Sequence, residues 1–311
     1  MDHLLSAALL ACALLISAPA AAAEASPAAP QPVQSIQFKP LRDNVYWAPG
    51  EGRNGNSGLI VGRTGAIVID VMASEAAGRA LLAAIPQVTP KPLKFVILTG
   101  AAGEAIQGLE AVPPDVPIIA HQDAVRRMQA WIAQGARFAP PKDRPVTRAI
   151  RGPRETITLD GVRMQLLHLA PAHTDTEMAV YLPRQRVVFA GWVVQGAPDF
   201  PIIHAKDGGG DFNFGGSALG WIDFVKGLLA LDADTYVLGK GDLWTKAQLR
   251  QRFEAQEAVV RRIRDMVAAG KSHDEIRVAL GPAASLNGRH FDFMFSEVAY
   301  DEIVKSRGGG K

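Results

Sequence analysis

The amino-acid sequence predicts a layered α/β fold for most of the chain. Short apolar runs typical of strands alternate with amphipathic segments typical of helices, and this alternation favours sheets covered by helices. One run, 95–98, is continuously apolar, as expected of a strand that is buried on both faces. With 311 residues, 48% of them hydrophobic and 21% charged, the chain can bury a large core.

The first half of the ordered chain is expected to begin near Ile36. Gly-, Asn- and Pro-containing turns separate its strands, and Ser74 is a suitable N-cap for its first helix. The predicted strands are 44–47, 59–61, 66–70, 95–98 and 116–120, and the predicted helices are 74–85 and 122–134.

The second half repeats this style without a visible sequence repeat. Residues 183–185 predict the tight turn of a hairpin, and a long amphipathic helix runs to a stop at Gly270, with a short helix after Ser272. The predicted strands are 156–159, 163–169, 177–182, 186–190 and 236–238, and the longer helices are 217–231 and 245–269. Residues 308–311 are expected to be a frayed tail.

The N-terminus is expected to be a targeting segment. An apolar stretch followed by small residues predicts a secretory signal peptide over 1–23, and the Ala/Pro-rich residues 24–35 predict a linker. Export to the periplasm follows from this interpretation. The only cysteine, Cys12, lies inside the signal segment, where a lipoprotein cleavage box is the alternative; the exported domain would have no disulfide.

The charge balance is close to neutral. The formal net charge is +2, and removal of the signal segment with its single charged residue, Asp2, raises it to about +3. There is no long basic tract interleaved with aromatic residues, so nucleic acid is excluded as an expected partner. The mature chain is also expected to lack a transmembrane segment.

Several strings in a fixed order resemble the metallo-β-lactamase superfamily. They are Asn56 to Gly62 leading to Asp70, the turn Thr99 to Gly108, Ala170 to Thr174, Tyr181 to Gly191, and Val237 to Gly241. The resemblance covers roughly residues 40–245 and implies a four-layer αββα sandwich. We therefore predict a metallo-β-lactamase-like domain over 36–245 and a C-terminal helical segment over 246–307 that packs on it.

The resemblance also implies where zinc would be held. In that family one or two zinc ions activate the water that attacks a scissile bond. It implies a first set of ligand positions at Gly100, Ala102 and His173. The second set is at Glu104, Ala105 and Lys240, and the position that bridges both metals is Trp192. Only His173 and Glu104 carry a side chain that can bind zinc, so neither set reaches the three protein ligands that a catalytic zinc needs.

The replacements predict a cleft that has been filled or neutralised. Trp192 would place an indole where a bridging carboxylate faces the metals. Lys240 would bring an ammonium to the second zinc position, where we hypothesise an ion pair with Glu104; alternatively, both side chains point into solvent. The expected cleft residues are Glu104, His173, Asp175, Trp192, Lys240 and Asp70, with His173 and Glu104 as candidate catalytic residues. No metal is expected, and His173 is the alternative metal ligand.

A Gly-rich segment could carry a different site. His204, Asp207 and Asp211 lie in or beside it, and such oxygen-rich loops can hold calcium, although the spacing here matches no regular calcium loop. The same region could form an aromatic flap over the cleft, or its rings could anchor a long loop: Phe200, Phe212 and Phe214.

No other catalytic pattern is present. The sequence has no Gly-x-Ser-x-Gly elbow, phosphate-binding loop or dinucleotide fingerprint. His168 lies in a predicted strand and is expected to be structural, and a surface or core role is the default for His121.

The sequence as a whole predicts an exported, non-catalytic binding or accessory protein without a cofactor. Its partner would be a small-molecule ligand or an envelope protein. The alternative is a diverged hydrolase of ester, lactam or thioester bonds, with one zinc on His173 or with metal-free chemistry by His173 and Glu104. A third reading, a structural subunit of an envelope complex, would require an exposed apolar patch.

Overall fold

The protein consists of two β-sheets packed face to face with helices on both outer surfaces. The computed structural model describes residues 35–136, 139–196, 201–205, 214–281 and 295–308. The predicted signal segment therefore lies outside the described residues. Helix, sheet, sheet and helix follow one another through the molecule, so the predicted αββα architecture is confirmed.

The first sheet brings several site-bearing turns to one edge. Within the described residues its strands, in spatial as in chain order, are β1 (Lys39–Arg42), β2 (Val45–Ala48), β3 (Ser57–Val61), β4 (Ala66–Ile69), β5 (Leu93–Ile97), β6 (Ile118–His121) and β7 (Arg148–Ile150). Strands β1 to β4 are antiparallel, whereas β4 to β7 are parallel. The carboxyl ends of parallel strands share an edge, which is where such sheets bind ligands. Asp70, the turn from Thr99 and His121 lie at this edge.

The second sheet supplies the opposite wall of the cleft. Its described strands, in spatial order, are β13 (Trp244–Thr245), β12 (Thr235–Lys240), β11 (Val187–Gln195), β10 (Ala179–Leu182), β9 (Val162–Leu167) and β8 (Arg154–Leu159). Among these described strands only β11 and β12 pair in parallel, and their register shifts at Gly191. A β-carbon at Gly191 would overlap the Thr99 side chain, so glycine allows β11 to approach the turn.

The helices cover the outer faces of the two sheets. Those described are α1 (Glu75–Ala83), α2 (Gly103–Ile106), α3 (Gln122–Gln134), α4 (Ala218–Leu229), α5 (Lys246–Ala268), α6 (His273–Leu280) and α7 (Phe295–Gly308). Helices α1 and α3 pack on the first sheet, and α4 to α7 pack on the second. The side chain of Ser74 caps α1, and Thr245 forms a capping box with Gln248 at the start of α5, as the predicted helix starts require.

Apolar side chains fill the space between the layers. Ile67 and Ile97 of the first sheet meet Met164 and Val180 of the second, and all four are fully buried. Alternation along each strand turns neighbouring residues towards the outer helices. In the part of the chain that the structure describes, no helix has both the length and the apolar character to cross a bilayer.

Candidate functional site

A cleft of about 290 Å³ opens beside the turn that follows β5. Its walls come from this turn, from α3, and from the segments that follow β9 and β11. The charged, polar and aromatic side chains that determine its chemistry are Glu104, Arg127, Trp131, His173, His204 and Phe214. The structure thus brings Glu104 and His173 to one cleft.

Hydrogen bonds to neighbouring segments hold the turn from Thr99 to Gly108. The backbone N–H and hydroxyl of Thr99 donate to the two carboxylate oxygens of Asp70 at 2.8 and 2.6 Å. The Ala101 N–H donates to the Thr176 hydroxyl at 3.1 Å, and the Met178 N–H donates to the Thr99 carbonyl at 2.7 Å. Both sheets therefore fix the backbone of the turn directly.

Asp70 supports this turn and does not line the cleft. It is almost fully buried and has a positive φ of 57°, a conformation that costs energy for a residue other than glycine. Burial raises the pKa of its carboxyl to about 7, against the lowering effect of the two Thr99 hydrogen bonds. Asp70 was expected to line the cleft, but it lies behind the turn and supports it.

We expect Asp70 to make the free energy of unfolding depend on pH. Because its pKa is raised from 3.8 to about 7, the folded chain keeps a proton that the unfolded chain loses between these values. This contribution to stability is complete below about pH 4 and is lost as the pH rises through 7. Asp70→Asn removes it, so the stability of the wild type relative to this variant should fall by about 1.4 kcal/mol per pH unit between pH 4.5 and 6.5.

Urea denaturation at a series of pH values would measure this difference. The exposed Asp242 provides the matched control, since Asp242→Asn should leave the pH profile parallel to that of the wild type. A constant difference between wild type and Asp70→Asn across this range would show that Asp70 is ionised throughout.

His173 is a buried, neutral histidine in the cleft wall. Its Nδ1 lies 2.7 Å from the Ile202 carbonyl, which assigns the proton to Nδ1 and the lone pair to Nε2. The Gln195 amide nitrogen is also 3.2 Å from Nδ1, but the shorter contact decides the tautomer. Burial and then the charge of His204 lower the pKa of His173 to about 3, against a raising effect of the Ile202 carbonyl. His173 is therefore an uncharged hydrogen-bonding group at neutral pH.

Lys240 closes the 50–54 loop. Its Nζ donates to the backbone carbonyls of Gly50, Gly52 and Asn54 at 3.1, 2.8 and 2.6 Å. Burial lowers its pKa, while the more distant charge of Glu104 raises it. Both residues are described, and Glu104 acts on Lys240 through its charge without a salt bridge within 4 Å, so the hypothesised pair stays a prediction. Carbonyl oxygens of the 50–54 loop satisfy the ammonium first.

Trp192 lies beside this loop and close to His173. Its ring centroid lies 5.7 Å from that of His173. A β-carbon at Gly55 would be 3.4 Å from the indole nitrogen and 3.1 Å from the Glu104 carbonyl. The indole, the loop and the α2 backbone thus meet where the family resemblance implies a second metal.

These positions do not fit a zinc ion. Gly100, Ala102 and Ala105 offer no donor atom, and the Lys240 ammonium would repel a cation. His173 is therefore the one position of its own set with a donor side chain. The structure therefore supports no zinc-dependent reaction step at the family zinc positions.

Asp175 lies at the rim, where it holds an arginine of the cleft wall. The Arg127 guanidinium is 2.7 Å from the carboxylate of Asp175.

Two residues after Asp175, the buried Glu177 accepts hydrogen bonds from the Thr174 N–H and hydroxyl at 2.7 and 2.6 Å. Burial raises the pKa of Glu177 to about 7. Its role could not be read from the sequence, because it lies within an otherwise ordinary strand pattern.

The predicted Gly-rich site can be followed only in part. His204 and Phe214 line the cleft, with their ring centroids 5.1 Å apart. The other residues of that prediction lie outside the described residues: Asp207, Asp211, Phe200 and Phe212.

The structure also unites side chains that the sequence left apart. His121, Asp123 and His168 offer ligand atoms that lie within 4.8 Å of one another. His121 ends β6, Asp123 begins α3, and His168 follows β9. The only signal in the sequence was the position of both histidines at strand ends.

Comparison with known proteins supports the fold assignment. No family model matches the sequence. The structure is similar to a metallo-β-lactamase from Pontibacter korlensis, with a TM-score of 0.57 and 16% identity, covering 71% of this chain and 99% of that one. It is also similar to a double mutant of the sec-alkyl sulfatase PisA1, with a TM-score of 0.64 and 16% identity, covering 89% and 51%. The chain therefore has the fold of the metallo-β-lactamase superfamily, as its motifs predicted.

One curated protein is similar in sequence. Over 242 residues the chain is 26% identical to the 2,4-dinitroanisole O-demethylase subunit alpha of Nocardioides sp. strain JS1661. The match covers 77% of this chain and 68% of the demethylase subunit.

Proposed function

We propose that this protein binds a small ligand in the cleft and does not hydrolyse it with zinc. The observation that carries the proposal is the Lys240 ammonium, which stands at a family zinc position and is satisfied by three backbone carbonyls. Two of the three first-set positions, Gly100 and Ala102, have no donor side chain. The scaffold of a hydrolase is thus kept around a cleft without its metal ligands.

The walls of the cleft favour an aromatic ligand with a polar or negatively charged substituent. Trp131 and Phe214 meet edge to face with their centroids 5.9 Å apart, and such faces accept a further ring. The Arg127 guanidinium lies 5.7 Å from the Phe214 ring, and His173 supplies a neutral polar group. The similarity to a 2,4-dinitroanisole O-demethylase subunit supports a substituted aromatic ring as the ligand class.

We expect 2,4-dinitrophenolate to bind the full chain with one-to-one stoichiometry in calorimetry. Arg127→Gln should weaken binding by about tenfold, which corresponds to about 1.4 kcal/mol, because the guanidinium no longer faces the negative charge. Phe214→Leu should weaken binding of both this anion and neutral 2,4-dinitroanisole, since both need the aromatic wall.

Arg252→Gln is the matched control, because Arg252 lies over Trp244 and is not among the residues that line the cleft. Equal affinities for wild type, Arg127→Gln and Phe214→Leu would refute the cleft as the binding site.

A metal measurement tests the non-catalytic part of the proposal. After treatment with a chelator and dialysis against zinc, wild type and His173→Gln should contain the same amount of metal. Tightly held zinc that disappears in His173→Gln would contradict the proposal.

The second candidate is an enzyme, and the demethylase relative is the observation that favours it. His173, with its lone pair on Nε2, would then be the group able to accept a proton from water. Removal of the O-methyl group from 2,4-dinitroanisole, abolished by His173→Ala, would establish this candidate. Turnover that His173→Ala leaves unchanged would point to a contaminating enzyme.

Export is part of the proposal as well. The apolar residues 4–16 and the alanine run that follows support removal of residues 1–23. The mass of the protein from a periplasmic fraction should match a chain that begins at Glu24, and a full-length mass would refute cleavage.

A further inference from the structure

Three potential metal ligands converge beside the cleft, apart from the family zinc positions. The Asp123 Oδ2 atom lies 3.5 Å from Nδ1 of His121 and 3.4 Å from Nε2 of His168. The two imidazole rings are stacked, with centroids 3.7 Å apart and planes 13° from parallel. Two ring nitrogens and one carboxylate oxygen therefore lie within 4.8 Å of one another.

Neighbouring backbone groups leave a lone pair on the nitrogen of each histidine that lies close to Asp123. The Glu177 carbonyl lies 2.7 Å from Nδ1 of His168, which places the proton there and the lone pair on Nε2. The Asp123 N–H donates to Nδ1 of His121 at 3.3 Å, so this nitrogen also carries a lone pair. Three acceptors thus face one another without a donor among them, an arrangement that a cation would stabilise.

The groups around Asp123 direct its carboxylate at the two histidines. His121 is only 2% exposed, so its side chain is enclosed by the protein. Arg126 binds the other carboxylate oxygen of Asp123, which leaves Oδ2 directed at the histidines.

We propose that His121, Asp123 and His168 bind one divalent transition-metal ion, with zinc as the best fit. Two imidazoles and a carboxylate are a ligand set that zinc accepts, with a fourth position left for water or another ligand. The side chains of His168 and Asp123 remain 14% and 20% exposed, which gives an ion a path from solvent. The Glu177 carbonyl behind His168 is the outer contact that orients a ligating histidine.

The site adjoins the cleft through one buried residue. Glu177 holds His168 with its carbonyl and Thr174 with its carboxyl, and Thr174 lines the cleft. A metal bound to His168 would therefore fix one wall of the cleft. The proposed metal site does not include His173, so this inference does not depend on the proposed function.

The test is titration of the full chain, freed of metal by a chelator, with zinc and with cobalt. We expect about one equivalent of each to bind and the cobalt complex to show visible absorption from nitrogen and oxygen ligands. His168→Gln and Asp123→Asn should each weaken zinc binding by more than tenfold, since loss of an outer contact alone costs that much. His173→Gln and His273→Gln are matched controls and should bind like the wild type.

The outcomes separate this inference from the proposed function. Zinc binding that is lost in His168→Gln and kept in His173→Gln supports the new site. Zinc binding lost only in His173→Gln overturns both, whereas no zinc binding, or equal binding by every variant, overturns the new site alone. Thermal melts of His168→Gln and Asp123→Asn are the folding control. Both side chains are partly exposed, so each variant should melt like the wild type without metal, and a loss of zinc binding can then be assigned to the lost ligand.

Discussion

Gly108→Ala is expected to destabilise the protein by about 3 kcal/mol or more. A β-carbon at this position would overlap the Val71 carbonyl oxygen and lie 3.1 Å from the Cα of Gly78. Both neighbours are backbone, one of them in α1, so neither can move aside as a flexible side chain would. The last glycine of the turn is therefore required by close packing, whether or not a metal is bound.

Gly100→Ala is the matched control within the same turn. The nearest atom to its β-carbon would be the Thr176 hydroxyl oxygen at 3.4 Å, which is an ordinary contact. Urea denaturation should show a small change for this variant and a large one for Gly108→Ala. If the two variants were equally stable, the packing of Gly108 against Val71 would be looser than the structure indicates.

Lys240→Met is expected to cost about 1.5 to 3 kcal/mol, the usual range for hydrogen bonds to a charged group. The methionine keeps most of the apolar stem but leaves the carbonyls of Gly50, Gly52 and Asn54 without their shared donor. Water can replace part of the loss, since Gly52 is exposed. The loop should also become more accessible, so its amides should exchange with solvent faster.

Hydrogen exchange of residues 50–56 together with urea denaturation would measure both effects. Lys226→Met removes an exposed lysine from α4 and should change neither. A loop that exchanges equally fast in wild type and Lys240→Met would show that the three carbonyls do not hold it.

The sequence was sufficient for the fold. Apolar periodicity and capping residues such as Ser74 located the main helices, because these signals are local. For the site, ordered motifs pointed to Glu104 and His173; both line the cleft, and their role there stays a prediction. Trp192 was predicted to fill part of the old metal cavity, and its ring lies 5.7 Å from that of His173.

Contacts between distant segments could not be predicted. Lys240 reaches backbone carbonyls of a Gly-rich loop, and the pattern of side chains does not predict the direction of a backbone carbonyl. His121 and His168 belong to different sheets, so their meeting depends on how the sheets pack and on the register of each strand. Asp70 was expected in the cleft, but its bonds to Thr99 direct it behind the turn.

The lysine at the end of β12 has a further consequence for recognition. Since Lys240 fastens the 50–54 loop within the chain itself, this wall of the cleft is already ordered before a ligand arrives. Binding then requires little additional loss of conformational entropy, and affinity depends on how well a ligand matches a preorganised surface. Ligands should therefore be selected by shape, with little movement of the backbone around them.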